Sequence, residues 1–267
     1  MRIHLLSDLH LELDPARRAG WRPQVTDADV TLLAGDIDQG PRVLPWASQV
    51  FPGHVLAIAG NHEYYGGHLQ RTARKMRESA SDRARFLDRD EAVIDGVRFL
   101  GATCWTDLEC LVAEQPPERQ DWMRQVSRQF VHACMNDYRR IRTARGISEF
   151  ARLSPTDTAL AARQCKAWLA TKLAVPFDGP TVVMTHHAPL RSVAYPRRPK
   201  AMPMDFRDAA YCNDWPELVR PPVALWVWGH IHEAVDTVVN GVRMVSNPLG
   251  YEAGEDTGFD PAKVIEL

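Results

Sequence analysis

Apolar positions cluster in five short, nearly continuous runs, at 3–6, 30–34, 55–59, 181–184 and 225–228, and a polar block follows each. Runs of four or five residues rich in Val, Ile and Leu are too short for core helices. They also lack the alternation of a half-exposed strand, so they predict strands buried on both faces. Asp95-Gly96 between apolar stretches predicts a hairpin, with its second strand continuing to Trp105. Asn240-Gly241 predicts another, because both turns favour positive φ.

Helical spacing appears elsewhere. Ser154-Pro155-Thr156-Asp157 supplies a cap, a proline at the first position and an acid three residues on; Leu160, Cys165, Trp168, Leu169 and Leu173 give that helix an apolar side. Residues 68–85 read as a charged, solvated helix, and 14–23 and 190–208 as loops. Between 106 and 152 the chain is rich in charge and broken at Pro116-Pro117. Trp122, Val126, Phe130, Cys134, Tyr138 and Ile141 recur there at helical intervals. The expectation is a single domain over 1–267 with a helical insertion or lid at about 106–152.

Composition narrows the function. At 267 residues, 45% hydrophobic and 25% charged, the chain is long enough for a large core and ordinary for a soluble globular protein. A net charge of −2 gives no overall basic field, so nucleic acid and anionic membranes are not expected partners. No signal peptide or long apolar span is evident. Five cysteines without a CxxC pair argue against a disulfide framework or thiolate zinc site, and a reducing cytoplasm is the expected location.

The polar blocks carry the chemistry. They supply Asp8 and His10; Asp36, with Asp38 as rival; Asn61 and His62; His186; and His230 and His232, carried to one side by two residues of extended chain after Gly229. Glu63 either orients His62 or starts the next helix. His187 either faces substrate or fills space. Arg139, Arg140 and Arg142 are placed to reach an anionic substrate or lie on a solvated face, and Arg191, Arg197, Arg198 and Lys200 either help admit a phosphate or belong to a surface loop. Tyr251 or Asn247 line the cleft or form a turn, and the tail from Glu252 shows no chemistry.

Ligands gather outside the carboxyl ends of strands in open α/β sheets. If these strands share one edge, Asp8, His10, Asp36, Asn61, His186, His230 and His232 are seven oxygen and nitrogen ligands, enough for two divalent ions with Asp36 as bridge. Such a pair lowers the pKa of a bridging water and neutralises phosphoryl oxygens during in-line attack. His62, not needed as a ligand, is then placed to protonate the leaving oxygen.

In order, Asp8-Leu9-His10, Gly35-Asp36, Gly60-Asn61-His62-Glu63, His186 and Gly229-His230-Ile231-His232 resemble the signature of the calcineurin-like metallophosphoesterases. The resemblance implies an α/β fold, a four-layer α/β/β/α sandwich of two mixed sheets flanked by helices. One metal would take Asp8, His10, Asp36 and His232, the other Asp36, Asn61, His186 and His230, with His62 as acid or transition-state contact. Mn²⁺, Fe, Zn²⁺ and Ni²⁺ all suit this ligation. The arginine that protein phosphatases and dinucleotide polyphosphate hydrolases of the superfamily carry shortly after Gly-Asp arrives late here, as Arg42 after a proline. A small phosphodiester is therefore favoured slightly over a phosphomonoester such as a nucleotide, sugar phosphate or phosphoprotein. A non-catalytic scaffold of the same fold and a DNA nuclease are the remaining readings.

Overall fold

The computed structural model describes residues 1–24, 26–197, 206–251 and 255–267. Its strands are β1 (Arg2–Leu6), β2 (Val30–Ala34), β3 (His54–Ile58), β4 (Ala84–Phe86), β5 (Asp90–Ile94), β6 (Val97–Ala102), β7 (Arg142–Arg145), β8 (Ser148–Arg152), β9 (Thr181–Thr185), β10 (Val223–Trp228), β11 (Val235–Val239), β12 (Val242–Ser246) and β13 (Val264–Glu266). One sheet has the order β13-β1-β2-β3-β4 and a second the order β11-β12-β10-β9-β6-β5, with β7 and β8 forming a separate hairpin. β1 to β4 run parallel, as do β6, β9, β10 and β12; β13, β5 and β11 are antiparallel edges.

The five apolar runs are strands buried on both faces, as their continuity predicts. Ile3, Leu5, Leu32 and Ile58 of the first sheet share one cluster with Phe99, Val182, Met184, Leu225 and Val227 of the second. Their chain neighbours Leu6, Leu33, Val183, Trp226 and Trp228 point the other way and join a second cluster with the helices. Those helices include α2 (Val43–Val50), α3 (Leu69–Glu78), α4 (Pro117–Cys134), α5 (Asp137–Arg140) and α6 (Pro155–Ala174), whereas α1 (Pro15–Gly20) buries no residue. Two mixed sheets thus lie face to face with helices outside. No helix among the described residues is long and apolar enough to cross a membrane.

Local signals held where a turn or cap dictated them. Asp95 and Gly96 take φ of 46° and 76°, and Asn240 and Gly241 take 51° and 80°, closing both expected hairpins. The Ser154 amide donates to Asp157 Oδ2 at 2.9 Å, completing the capping box of α6.

Other expectations need correction. Residues 15–20 form α1, capped by Asp14, rather than a loop. The helix expected over 68–85 stops at Glu78 and the chain then enters β4. The insertion is only partly helical: the β7–β8 hairpin follows α4 and α5. The apolar stripe of α4 is also displaced by one residue, since Met123, Ser127 and Val131 are buried. Trp122 and Phe130 remain 45% and 37% exposed, packing beside Phe206 at the surface. Four-residue spacing fixes a face but not which neighbouring face is inward, and the smaller residues won the crowded side.

Candidate metal centre

Parallel pairing sets β1, β2 and β3 ending at one edge, and β9 and β10 ending likewise in the facing sheet. The polar blocks at those ends form two groups whose ligand atoms converge, Asp8, His10 and His232, and Asp36, His186 and His230, with a third set, His10, Glu12 and His62, beside them. His10 Nε2 lies 3.3 Å from His232 Nε2, which is 3.7 Å from Asp8 Oδ1. His186 Nε2 lies 3.4 Å from Asp36 Oδ2 and 3.2 Å from Asn61 Oδ1. Asp36 Oδ2 is also 3.9 Å from His10 Nε2 and from His62 Nε2, so this one oxygen faces both groups.

The backbone is bent to achieve this. Asp8, His10, Asp36 and His230 all take positive φ, between 46° and 68°, where non-glycine residues rarely sit. His230 and His232 therefore do not project together from an extended strand end as expected; the bend after β10 delivers one to each group. Glycines allow the close approaches. A Cβ on Gly60 would stand 2.1 Å from Asp36 Oδ1, and one on Gly229 would stand 2.6 Å from Asp8 Oδ2.

A second layer aims the imidazoles. His186 Nδ1 donates to the Ala34 carbonyl at 2.9 Å, His10 Nδ1 faces Glu12 Oε1 at 3.3 Å, and His232 Nδ1 faces Glu255 Oε1 at 3.1 Å. Each pairing leaves Nε2 for the centre, the arrangement that suits metal-ligating histidines. Asp8 accepts the His230 amide, and Asp36 Oδ1 accepts the His62 amide at 2.8 Å. Glu63 is fully buried and accepts the amides of Asp36, Ile37 and Gly60 at 2.7–3.0 Å, so it braces the β2 and β3 loops rather than orienting His62. Burial, and then the Asp36 charge, lift its pKa to about 8.

The residues fit a divalent cation. His230 Nε2 is buried without a hydrogen-bond partner among the described residues, an arrangement that a metal bond would relieve. Burial, reinforced by His187 and His186, holds the His230 ring well below its usual pKa and therefore neutral. Burial opposes charge on His186 too, yet Asp36 outweighs it and raises the pKa to about 10. A bound cation would take the place of that proton.

His62 stands beside the centre. Its Nδ1 lies 2.7 Å from Glu12 Oε1, so Nδ1 carries hydrogen and Nε2 faces inward. Burial disfavours its charge, but Asp36 and then Glu12 raise its pKa to about 9. Its ring packs on Tyr65 and near Tyr251.

Other candidates fall elsewhere. Asp38 accepts both Arg18 and Arg42 and is a buried anchor, not a ligand. His187 is 2% exposed and lies between the Trp105 and His230 rings, packed behind a candidate ligand in the bend that follows β9. Arg139 is exposed and donates to the Ala133 carbonyl, while Arg140 lies over the Tyr65 ring and Arg142 is exposed on β7. Arg191 pairs with Glu114 and Arg197 with Asp256. Arg198, Lys200 and Glu252 lie outside the described residues. Asn247 is a structural brace, donating to the Leu5 and Asp260 carbonyls.

Sequence reading missed Glu12, Asp137 and Glu255. Asp137 Oδ1 accepts from the Asn61 amide at 2.9 Å and from the Tyr65 hydroxyl at 2.7 Å, turning Asn61 Oδ1 toward His186. Glu12 offered a signal, as a carboxylate two residues beyond His10; Asp137 and Glu255 lie in segments that carry no motif.

A protein of Acanthamoeba polyphaga mimivirus, "Uncharacterized protein L509", is 23% identical over 292 aligned residues, covering 100% of this chain and 97% of its own. Among solved structures, phosphopantetheinyl hydrolase (PptH) from Mycobacterium tuberculosis superposes with a TM-score of 0.64 at 17% identity, over 93% of this chain and 89% of that one. Residues 1–234 match the calcineurin-like phosphoesterases as a family. That match spans both ligand groups and His62, and the chain belongs to the calcineurin-like phosphoesterase family, hydrolases of phosphoric esters that depend on divalent metal ions.

Proposed function

We propose that this chain hydrolyses a small phosphoester, a diester in preference to a monoester, with two divalent cations. One is held by Asp8, His10, Asp36 and His232, the other by Asp36, Asn61, His186 and His230. The observation that supports a shared site is the position of Asp36 Oδ2, 3.4 Å from His186 Nε2 and 3.9 Å from His10 Nε2. Bound cations would supply an activated water and charge neutralisation at the phosphoryl oxygens. His62 holds a proton at Nε2 for the leaving oxygen, with Glu12 fixing the ring through Nδ1. Asp137 holds Asn61, and Glu63 holds the Asp36 and Asn61 loops in register.

The preference for a diester follows from charge. A monoester dianion calls for a further cationic contact, whereas a diester carries one negative charge. Arg18 and Arg42 both spend their guanidinium bonds on Asp38, and Arg17 donates to the Gly250 and Tyr251 carbonyls. The reading is tested by assaying bis(p-nitrophenyl) phosphate and p-nitrophenyl phosphate on protein reconstituted with Mn²⁺, Fe²⁺, Zn²⁺ or Ni²⁺, beside a chelated control. Faster turnover of the diester, lost on chelation, is expected. A faster monoester would reverse the substrate preference, and turnover surviving chelation would remove the metals from the mechanism.

A further inference from the structure

Tyr251 has a placement that packing alone does not explain. Its loop is fastened to the candidate centre through the backbone. The Gly250 amide donates to the Asp8 carbonyl at 3.0 Å, and the Tyr251 amide donates to Glu255 Oε2 at 2.8 Å. The same Glu255 carboxylate holds His232 Nδ1. From the other side, Arg17 of α1 donates to the Gly250 and Tyr251 carbonyls at 3.0 Å and 2.9 Å. These bonds fix where the ring goes. Its centroid is 4.4 Å from that of His10 and 4.5 Å from that of His232, yet 48% of the residue stays exposed. An aromatic side chain that covers two candidate ligands on one side and is open on the other stands at the mouth of the site.

Its hydroxyl reaches the candidate acid. It lies 3.5 Å from His62 Nε2, the nitrogen that faces the reacting region. That separation is at the long limit of a hydrogen bond, and a phenylalanine would stack on His10 and His232 equally well. An oxygen seated against both groups would receive two donors at once. A phenol keeps its proton at neutral pH, so it can donate without being consumed.

We infer that Tyr251 is a further catalytic residue, whose hydroxyl donates a hydrogen bond to the leaving ester oxygen that His62 protonates, and whose open ring carries the organic group on that oxygen. The inference rests on the phosphodiesterase reading above. Water gives up one proton to the solvent as its oxygen forms the new bond to phosphorus, the bond from phosphorus to the ester oxygen breaks with its electron pair going to that oxygen, which takes its proton from His62 Nε2, and His62 then regains a proton from solvent. Tyr251 retains its own proton and stabilises the charge that builds on the departing oxygen. The substrates favoured are diesters whose leaving alcohol is poorly acidic and carries a planar or apolar group.

The test compares full-length, metal-reconstituted wild type, Tyr251→Phe and Tyr251→Ala on two diesters with aromatic groups but unlike leaving oxygens. Bis(p-nitrophenyl) phosphate releases an acidic phenol that needs little assistance; dibenzyl phosphate releases an alcohol that needs a great deal. Tyr251→Phe is expected to lower kcat on dibenzyl phosphate by about tenfold or more while changing the p-nitrophenyl ester by less than about twofold. A second readout is the dissociation constant of a phosphonate analogue with CH2 in place of the bridging oxygen, measured by calorimetry. Tyr251→Phe should bind it as wild type does, because the hydroxyl has lost its acceptor, and Tyr251→Ala should bind it about tenfold more weakly. An equal loss on both diesters, or no loss on either, overturns the role of the hydroxyl. Wild-type binding of the phosphonate by Tyr251→Ala overturns the role of the ring. If wild type turned over neither diester, the function reading would fall instead, and phosphonate binding would still report on the ring.

Discussion

Asp36 and His62 sit 3.9 Å apart through Oδ2 and Nε2, yet their substitutions should fail in different ways. Asp36 Oδ1 is held by the backbone amide of residue 62, which any side chain leaves in place. His62→Ala should therefore keep its metal content while kcat falls by about 10² to 10⁴. Asp36→Asn removes the carboxylate oxygen that faces both ligand groups, and elemental analysis should show the loss of one or both metals. Full occupancy in Asp36→Asn would refute the bridging assignment, and wild-type turnover by His62→Ala would remove that residue from the chemistry. Much of this scale was legible beforehand, because imidazole and carboxylate side chains announce their chemistry. Their supports were harder to see. Glu63 stood inside a motif, but only the fold showed that it accepts three amides from two loops.

Residues 106–152 meet the candidate centre through α5. α5 contributes Asp137, whose carboxylate fixes the Asn61 amide and the Tyr65 hydroxyl, while Arg139 on the same element is exposed. Asp137→Ala should free Asn61 to rotate and weaken binding of one metal about 10- to 100-fold, as loss of an outer partner commonly does. Titration of metal into chelated protein measures this, and an unchanged affinity would detach the insertion from the site. Elements were predicted well wherever turn chemistry or continuous burial fixed them, as in the two hairpins, α6 and the strands. On α4 the helical spacing of Trp122, Val126 and Phe130 did not mark the buried side, which carries Met123, Ser127 and Val131.

Across the whole molecule, two sheets bring residues separated by more than two hundred positions to one rim. Asp8 and His232 follow β1 and β10, strands of different sheets, so a cation shared by them would cross-link the halves. Metal loading should therefore raise stability by about 3 kcal/mol at a free concentration one hundred times the dissociation constant. Thermal unfolding with and without chelator measures it; identical curves would mean that the groups are not joined by metal. The sequence alone determined the strand cores, the turns and the inventory of candidate ligands, because hydrophobic continuity, positive-φ turn residues and side-chain chemistry are local properties. Only the tertiary structure decided which nitrogen each histidine presents, that Glu12, Asp137 and Glu255 serve the centre, and that Tyr251 stands at its mouth. Those outcomes depend on distances between segments remote in the chain, which no local pattern encodes.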